Sequence, residues 1–103
     1  MPRYHIERTK TFKKWFLKLR DQGAYACIQK RIDLVREEGY FGDHKSLGGG
    51  ISELKIHYGP GYRVYYTERN GMIIILLVGG DKSTQERDIV KARKLAKEWK
   101  IKS

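Results

Sequence analysis

The segment "ISELKIHYGPGYRVYYTERNGMIIILLV" (51–78) constrains the fold most, because it carries two consecutive hairpin signals. Apolar and polar residues alternate along 52–58 and again along 62–68, and a period of two is typical of β-strands. The two runs therefore predict an antiparallel pair with one apolar face. The opposite, polar face carries Glu53, Lys55 and His57 from the first strand and Arg63, Tyr65 and Thr67 from the second.

The first hairpin loop is predicted from the requirement that both apolar faces stay together. Pairing Ile56 with Val64 meets this requirement and leaves residues 59–61 (Gly-Pro-Gly) as a three-residue turn, in which Gly61 is free to take a positive φ. The same register places His57 opposite Arg63 and Lys55 opposite Tyr65.

The second hairpin is predicted at residues 70–71, Asn-Gly, which is the strongest short hairpin signal. A two-residue loop pairs Arg69 with Met72, and this register brings Val78 beside Arg63 and Leu76 beside Tyr65. The run "MIIILLV" is apolar on both faces, as in a central strand covered on both sides. The sequence thus predicts a three-stranded meander whose second face also needs a cover.

The residues before the meander predict one strand and two helices. Alternation over 3–8 indicates a short strand, and 11–20 form a basic amphipathic helix capped by Thr9 or Thr11. A second helix begins after an N-cap at Asp21 and ends at Gly39, and 40–50 are expected to form a loop. The apolar stripes consist of Phe12, Phe16 and Leu19 in the first helix and of Ala24, Ile28, Ile32 and Val35 in the second.

The residues after the meander predict a C-terminal helix from about 84 to 99, which could cover part of the second face. Ser83 and Glu86 have the spacing of a capping box. The expected fold is α+β: an N-terminal strand and two helices, an antiparallel three-stranded meander and a C-terminal helix. The apolar stripe of that last helix contains Ile89, Ala92, Ala96 and Trp99.

Composition limits the class of protein and of partner. A chain of 103 residues with 40% hydrophobic and 33% charged residues is expected to form a single domain over 1–103. Its 22 Lys and Arg against 12 Asp and Glu give a formal charge of +10, which indicates a nucleic acid or an acidic protein as partner.

The cysteine count and the length of the apolar runs indicate the cellular compartment in which the protein is expected. Cys27 is the only cysteine, so no internal disulfide forms and a reducing compartment is expected. We predict that Cys27 is a small core residue. The longest apolar run, 72–78, is too short to span a bilayer, and no signal peptide is recognised, so a cytoplasmic protein without membrane contact is expected.

A cationic cluster is predicted at one end of the meander. His57 and Arg63 lie there, and the third strand leaves the sheet there through Lys82 toward the first amides of the last helix, which attract phosphate. Together with Lys55 and Tyr65 they suggest a phosphate-handling cleft. The alternative is a solvated sheet face on which the basic residues pair with Glu53 and Glu68. No cofactor is expected, and no metal either, since His5, His44 and His57 lack ligand spacing.

Two segments, "GDHKSLGGGISELKIHYGPGYRVYY" and "LLVGGDKSTQERDIVKARKLA", resemble the RelE/ParE superfamily of bacterial type II toxins. Within it they are most similar to the HigB-like "addiction module killer protein" branch. The resemblance extends over about residues 4–99. It implies a RelE-like fold and a small helix-turn-helix antitoxin as cognate partner.

The resemblance implies two alternative activities. RelE- and HigB-like toxins enter the ribosomal A site and cleave mRNA without metal, whereas ParE-like toxins poison DNA gyrase and catalyse no reaction. The strand lysine and arginine of the ribonucleases correspond to Lys55 and Arg63, and a second basic residue corresponds loosely to Lys82. The C-terminal Tyr or His of several ribonucleases has no counterpart here, and Tyr65 or His57 could replace it.

If the protein is a ribonuclease, each candidate residue has an expected role. Arg63 would stabilise negative charge on the phosphate. Lys55 or His57 would accept the proton as general base, and Lys82 or the other member of that pair would be the general acid. Tyr65 would stack on a nucleobase or orient the phosphate. The first helix would bind ribosomal RNA through its phosphates. Its predicted RNA-binding residues are Lys13, Lys14, Lys18 and Arg20.

Overall fold

The computed structural model describes residues 2–99, which form five strands, three α-helices and a short 3₁₀ helix. In chain order these are β1 (His5–Arg8), α1 (Lys10–Leu17), α2 (Gln22–Glu38), β2 (His44–Gly48), β3 (Ile51–Ile56), β4 (Tyr62–Arg69), β5 (Ile73–Asp81), the 3₁₀ helix (Lys82–Thr84) and α3 (Gln85–Glu98).

The strands form one mixed sheet in the order β1-β5-β4-β3-β2, with β1 parallel to β5 and all other pairs antiparallel. The α+β class, the three-stranded meander and the C-terminal helix are confirmed. The expectation of a loop over 40–50 is wrong, because β2 lies within it. The side chains of β2 are mostly exposed, so it shows no apolar alternation and is held by backbone pairing with β3.

Three predicted capping residues bound helices, but α1 ends at Leu17 instead of the predicted residue 20, which leaves Leu19 outside it. Thr9 caps α1 by accepting a hydrogen bond from the Phe12 amide at 2.9 Å, and its hydroxyl donates to the Leu77 carbonyl of β5 at 2.6 Å. Asp21 caps α2, and Gly39 ends it at φ 66°. The predicted Ser83–Glu86 capping box is wrong, because Asp81 instead caps the 3₁₀ helix that precedes α3.

The first hairpin differs in register from the prediction. Leu54, not Ile56, lies opposite Val64, and the loop contains five residues, 57–61. Within this loop Gly59 (φ +55°) and Gly61 (φ +83°) both take positive φ, which glycine adopts without steric cost. Because the shift is two residues, every side chain keeps its predicted face.

The second hairpin turns at Asn70 and Gly71 as predicted, but Arg69 pairs with Ile73 rather than Met72. A β-bulge then adds Leu77 between two paired positions, and this changes the register of the rest of β5. Consequently Val78 lies opposite Tyr65, and Gly80 opposite Arg63, instead of the predicted Leu76 and Val78.

Each face of the sheet carries its own apolar cluster. Helices α1 and α2 cover one face, where their predicted stripes pack on β3, β4 and β5 and Cys27 packs at the margin. Helix α3 covers the other, where Ala92 and Ala96 pack on Tyr65 and Leu77. No helix within residues 2–99 is long and apolar enough to cross a membrane.

Candidate functional site

The candidate site begins with a row of three residues across the end of the sheet. Lys55 on β3 lies directly opposite Arg63 on β4, and Arg63 lies opposite Gly80 on β5. The predicted pairs His57 with Arg63 and Lys55 with Tyr65 are therefore wrong. The structure instead places two predicted cations next to each other on the face that α3 covers.

Arg63 is nearly buried beneath α3, with only 8% of its side chain exposed. Its Nε lies 3.9 Å from Oε2 of Glu53, a carboxylate that is only 2% exposed, and its Nη1 donates to the Tyr62 carbonyl at 3.2 Å. Gln85 of α3 donates to the same Glu53 oxygen at 3.4 Å. Arg63 therefore meets the expected Glu53 pairing, whereas Glu68 is exposed and forms no ion pair within residues 2–99.

Tyr65 lies opposite Glu53 and is fully buried in the cluster under α3. Its hydroxyl has no hydrogen-bond partner among residues 2–99. Burial raises the pKa of Tyr65 well above its usual value of 10.0, and the negative charge of Glu53 raises it further. The phenol thus stays protonated at neutral pH, and in this arrangement no nucleic-acid base can stack on its ring.

His57 lies in the exposed loop that follows β3, and its Nε2 hydrogen-bonds Oδ2 of Asp43. This bond lowers the pKa of Asp43 below its usual 3.8, and the nearby charges of Lys55 and Arg31 lower it further. Arg31 donates to the backbone carbonyls of both Asp43 and Lys55. The His57–Asp43 pair is therefore fixed beside Lys55, at the exposed margin of the row.

Lys82 reaches the same end of the sheet from the 3₁₀ helix. Its aliphatic chain lies over Gly61 so closely that a Cβ there would come within 3.0 Å of Lys82 Cε. Asp81 accepts a hydrogen bond from the Ser83 amide at 2.8 Å and thus fixes the turn that carries Lys82. Lys55 and Lys82 form no ion pair within residues 2–99, so both charges remain available.

Asp88 is a buried carboxylate at this site that the sequence analysis missed. It accepts a hydrogen bond from the Thr84 hydroxyl at 2.5 Å, and a Cβ on Gly80 would lie 1.9 Å from its Oδ2. A signal was present, because Asp88 lies one turn before Ala92 and hence within the apolar stripe of α3. Only glycine at position 80 lets α3 approach β5 this closely.

A groove of about 700 Å³ runs between α1 and α3 along the last residues of β5. Of the predicted RNA-binding residues, Lys14 and Lys18 line it, whereas Lys13 and Arg20 are exposed but lie outside its lining. Three further cations that were not predicted complete the walls: Lys10, Arg87 and Lys91.

Residues 2–99 contain no group of three or more His, Cys, Asp or Glu that is arranged to hold a metal ion. The site therefore offers cations, an imidazole paired with a carboxylate, and buried acids. Such a set can bind a phosphate and exchange protons near it.

Two comparisons with known proteins indicate the family of this chain. The chain is 50% identical over 93 residues to an uncharacterized protein of Haemophilus influenzae (strain Rd), and the match covers 90% of this chain and 93% of that relative. The family described as "Phage derived protein Gp49-like" matches residues 14–98, which include every strand of the meander and all three cations at the end of the sheet. The chain therefore belongs to the Gp49-like family of phage-derived proteins, a RelE/HigB-like toxin family of toxin–antitoxin systems.

Proposed function

We propose that this toxin is a ribosome-dependent endoribonuclease that cleaves mRNA without a metal ion and thereby inhibits translation in the cytoplasm. The observation that carries the proposal is the meeting of Lys55, Arg63 and Lys82 at one end of the sheet. Several cations placed near one another suit a phosphate that gains negative charge during reaction, because fixed positive charge then stabilises the transition state.

The proposed reaction is attack of a ribose 2′-hydroxyl on the adjacent phosphate. The 2′-oxygen forms a bond to phosphorus and gives its proton to a base, and the bond from phosphorus to the 5′-oxygen breaks as an acid protonates that oxygen. The products are a 2′,3′-cyclic phosphate and a 5′-hydroxyl. The protein must supply the base, the acid and positive charge at the phosphate.

Lys55 and Lys82 are the residues that support direct phosphate contact, because both are unpaired and reach the surface near the row. Arg63 lies directly opposite Lys55 and keeps a fixed charge, since a guanidinium does not deprotonate. Its contact with Glu53 sets its position. Tyr65 has no direct role in this proposal, because it is buried and protonated.

His57 is the base that the geometry favours over Lys55. Its imidazole is exposed beside Lys55 and is oriented by the Asp43 carboxylate, as in sites where a carboxylate fixes the tautomer of a catalytic histidine. Lys55 would then stabilise charge, and Lys82 would be the acid.

A toxin of this family has an antitoxin as partner. We propose that it is a small helix-turn-helix protein that presents acidic surface to this +10 chain. Its association rate should then fall as salt rises, which stopped-flow mixing measures. A rate that does not change with salt would contradict electrostatic recruitment.

The experiment that tests the proposed function incubates purified protein with translating ribosomes and maps mRNA ends by primer extension. His57→Gln should reduce the single-turnover cleavage rate at least a hundredfold while ribosome binding is retained. Lys55→Arg keeps the charge and should retain most of the rate. Lys30→Gln, an exposed lysine on α2, is the control and should cleave normally.

Two outcomes would contradict the proposal. Normal cleavage by His57→Gln together with severe loss in Lys55→Arg would move the base to Lys55. Absence of ribosome-dependent cleavage by the parent protein, with inhibition of DNA gyrase, would replace the ribonuclease by a gyrase poison.

A further inference from the structure

The groove between α1 and α3 has two regularly spaced rows of cations. Lys10, Lys14 and Lys18 follow one another at intervals of four residues along α1 and its C-cap, and Arg87 and Lys91 have the same spacing on α3. Residues four apart lie on one side of a helix, so each row forms one wall of the groove.

The positive charge of this groove is only partly neutralised by the protein itself. All five cations are exposed, and none of them forms an ion pair within residues 2–99. Two acids, Asp81 and Asp88, also line the groove, so five cations outnumber two carboxylates there. The groove therefore suits a ligand with repeated negative charge.

An aromatic ring completes the groove. The half-buried Trp15 lines the groove beside β5, where a Cβ on Gly79 would come within 2.1 Å of its ring, and it also packs on Phe12 and Tyr62. Cationic walls with an aromatic side chain are the usual combination in sites for single-stranded nucleic acid, because the cations follow the backbone and the ring stacks on a base. An acidic peptide would use the cations but has no base to stack on the indole.

The groove also leads to the candidate site. Gly80 forms part of its lining and is the residue directly opposite Arg63, and the next residue, Asp81, precedes Lys82. A strand lying in the groove therefore reaches the end of the sheet where the cations meet.

We propose that the groove between α1 and α3 binds single-stranded RNA next to the bond that is cleaved, with Lys10, Lys14, Lys18, Arg87 and Lys91 contacting its phosphates. This inference rests on the proposed ribonuclease function, because it identifies the groove as the path of that enzyme's substrate. The proposal adds α3 to the RNA-binding surface. It does not include Lys13 and Arg20 among the residues that contact the RNA phosphates.

The test measures binding of a fluorescein-labelled twelve-nucleotide uridine strand by fluorescence anisotropy at several salt concentrations. Lys14→Glu/Lys91→Glu changes one residue in each wall and lowers the formal charge from +10 to +6, since each substitution removes two units. Lys30→Glu/Lys94→Glu makes the same change at exposed lysines outside the groove. Thermal melting checks that both variants fold.

The groove variant should bind the strand at least tenfold more weakly than the control variant. Its plot of log affinity against log salt should also be shallower, by about 0.7 per lost phosphate contact. Equal weakening by both variants, or no weakening by either, would overturn the proposal. So would a groove variant that still binds the strand but no longer binds a poly-glutamate peptide, which would identify the groove as a peptide site.

This assay contains no ribosome and measures no cleavage, so its failure is distinct from failure of the proposed function. A parent protein that cleaves mRNA while both variants bind the strand equally well would overturn the groove assignment alone. A parent that binds the strand through the groove yet never cleaves mRNA would overturn the proposed reaction.

Discussion

The two faces of the sheet are built differently. The face under α1 and α2 is continuous and apolar, with large side chains such as Phe12, Ile28 and Ile32 reaching the strands. The face under α3 receives only alanines as fully buried apolar residues from the helix, and it also buries Glu53, Arg63 and Asp88.

This difference separates the stabilising part of the molecule from the part available for chemistry. Burial of apolar area is the main favourable term in the free energy of folding, whereas buried polar and charged groups contribute little or no net stability. Three buried polar atoms on the α3 face have no hydrogen-bond partner among residues 2–99: Arg63 Nε, the Tyr65 hydroxyl and Trp99 Nε1. A small domain can carry such a face only because the opposite face is well packed.

Neighbouring leucines on β5 provide the strongest test of this comparison. Leu76 packs under α1 and α2, and Leu77 packs under α3, and both are buried to at least 99%. Leu76→Ala should lower the free energy of unfolding by about 4 kcal/mol and Leu77→Ala by about 3 kcal/mol. The cavity at Leu77 can relax more easily, because it lies at a β-bulge beside small alanine side chains.

Urea denaturation of both variants and the parent gives these values. If Leu77→Ala lowered the free energy of unfolding more than Leu76→Ala, the α3 face would be the better packed of the two.

Removal of Arg63 is expected to have the next largest effect. Arg63→Ala leaves the Glu53 carboxylate buried without its cation, and breaking a buried pair in this way costs about 3 kcal/mol. Glu53→Gln/Arg63→Ala should recover part of that loss, because the amide carries no charge. Loss of toxicity in Arg63→Ala alone could therefore reflect lost stability instead of a lost role in the reaction. Arg63 does lie on the polar face, as predicted.

Thermal or urea unfolding of the single and double variants measures this coupling, with Lys30→Ala as the exposed control. If Arg63→Ala were no more destabilising than Lys30→Ala, the buried Arg63–Glu53 pair would make no measurable contribution to stability.

The sequence was sufficient to predict which residues share a face, because strand and helix periodicities depend on local alternation alone. The stripes at Phe12, Ile28 and Ala92, and the polar side of β3 and β4, all follow from that alternation. It did not predict β2 or the parallel pairing of β1 with β5. β1 pairs with the distant β5, which local alternation cannot indicate. β2 pairs with the neighbouring β3, but its mostly exposed side chains give it no apolar alternation.

For the candidate site, the sequence predicted the shared face of Lys55 and Arg63 but not their direct pairing. The pairing depends on the length of the hairpin loop, which contains five residues (57–61) instead of the predicted three and so shifts the register by two. The burial of Arg63 and Tyr65 depends on how closely α3 approaches Gly80, which periodicity cannot give. Asp88 could have been found, since a carboxylate within an apolar helical stripe is predicted to be buried.

The smallest expected effect lies outside both packed faces, at the exposed Asp43–His57 pair. The hydrogen bond from His57 lowers the pKa of Asp43 below 3.8 in the folded protein. A carboxyl group of this kind adds stability above its unfolded pKa and loses it as the pH falls through its folded pKa, so the relevant window lies below about pH 4. The free energies of unfolding of the parent and Asp43→Asn should therefore differ at pH 5.5 and converge toward pH 2.5. A double-mutant cycle of Asp43→Asn with His57→Gln should show coupling between the two residues only at the higher pH. The difference is expected to be small because solvent screens an exposed pair. Urea titrations at these pH values measure it, and a difference that stays constant from pH 5.5 to 2.5 would show that Asp43 does not hold His57 through its charge.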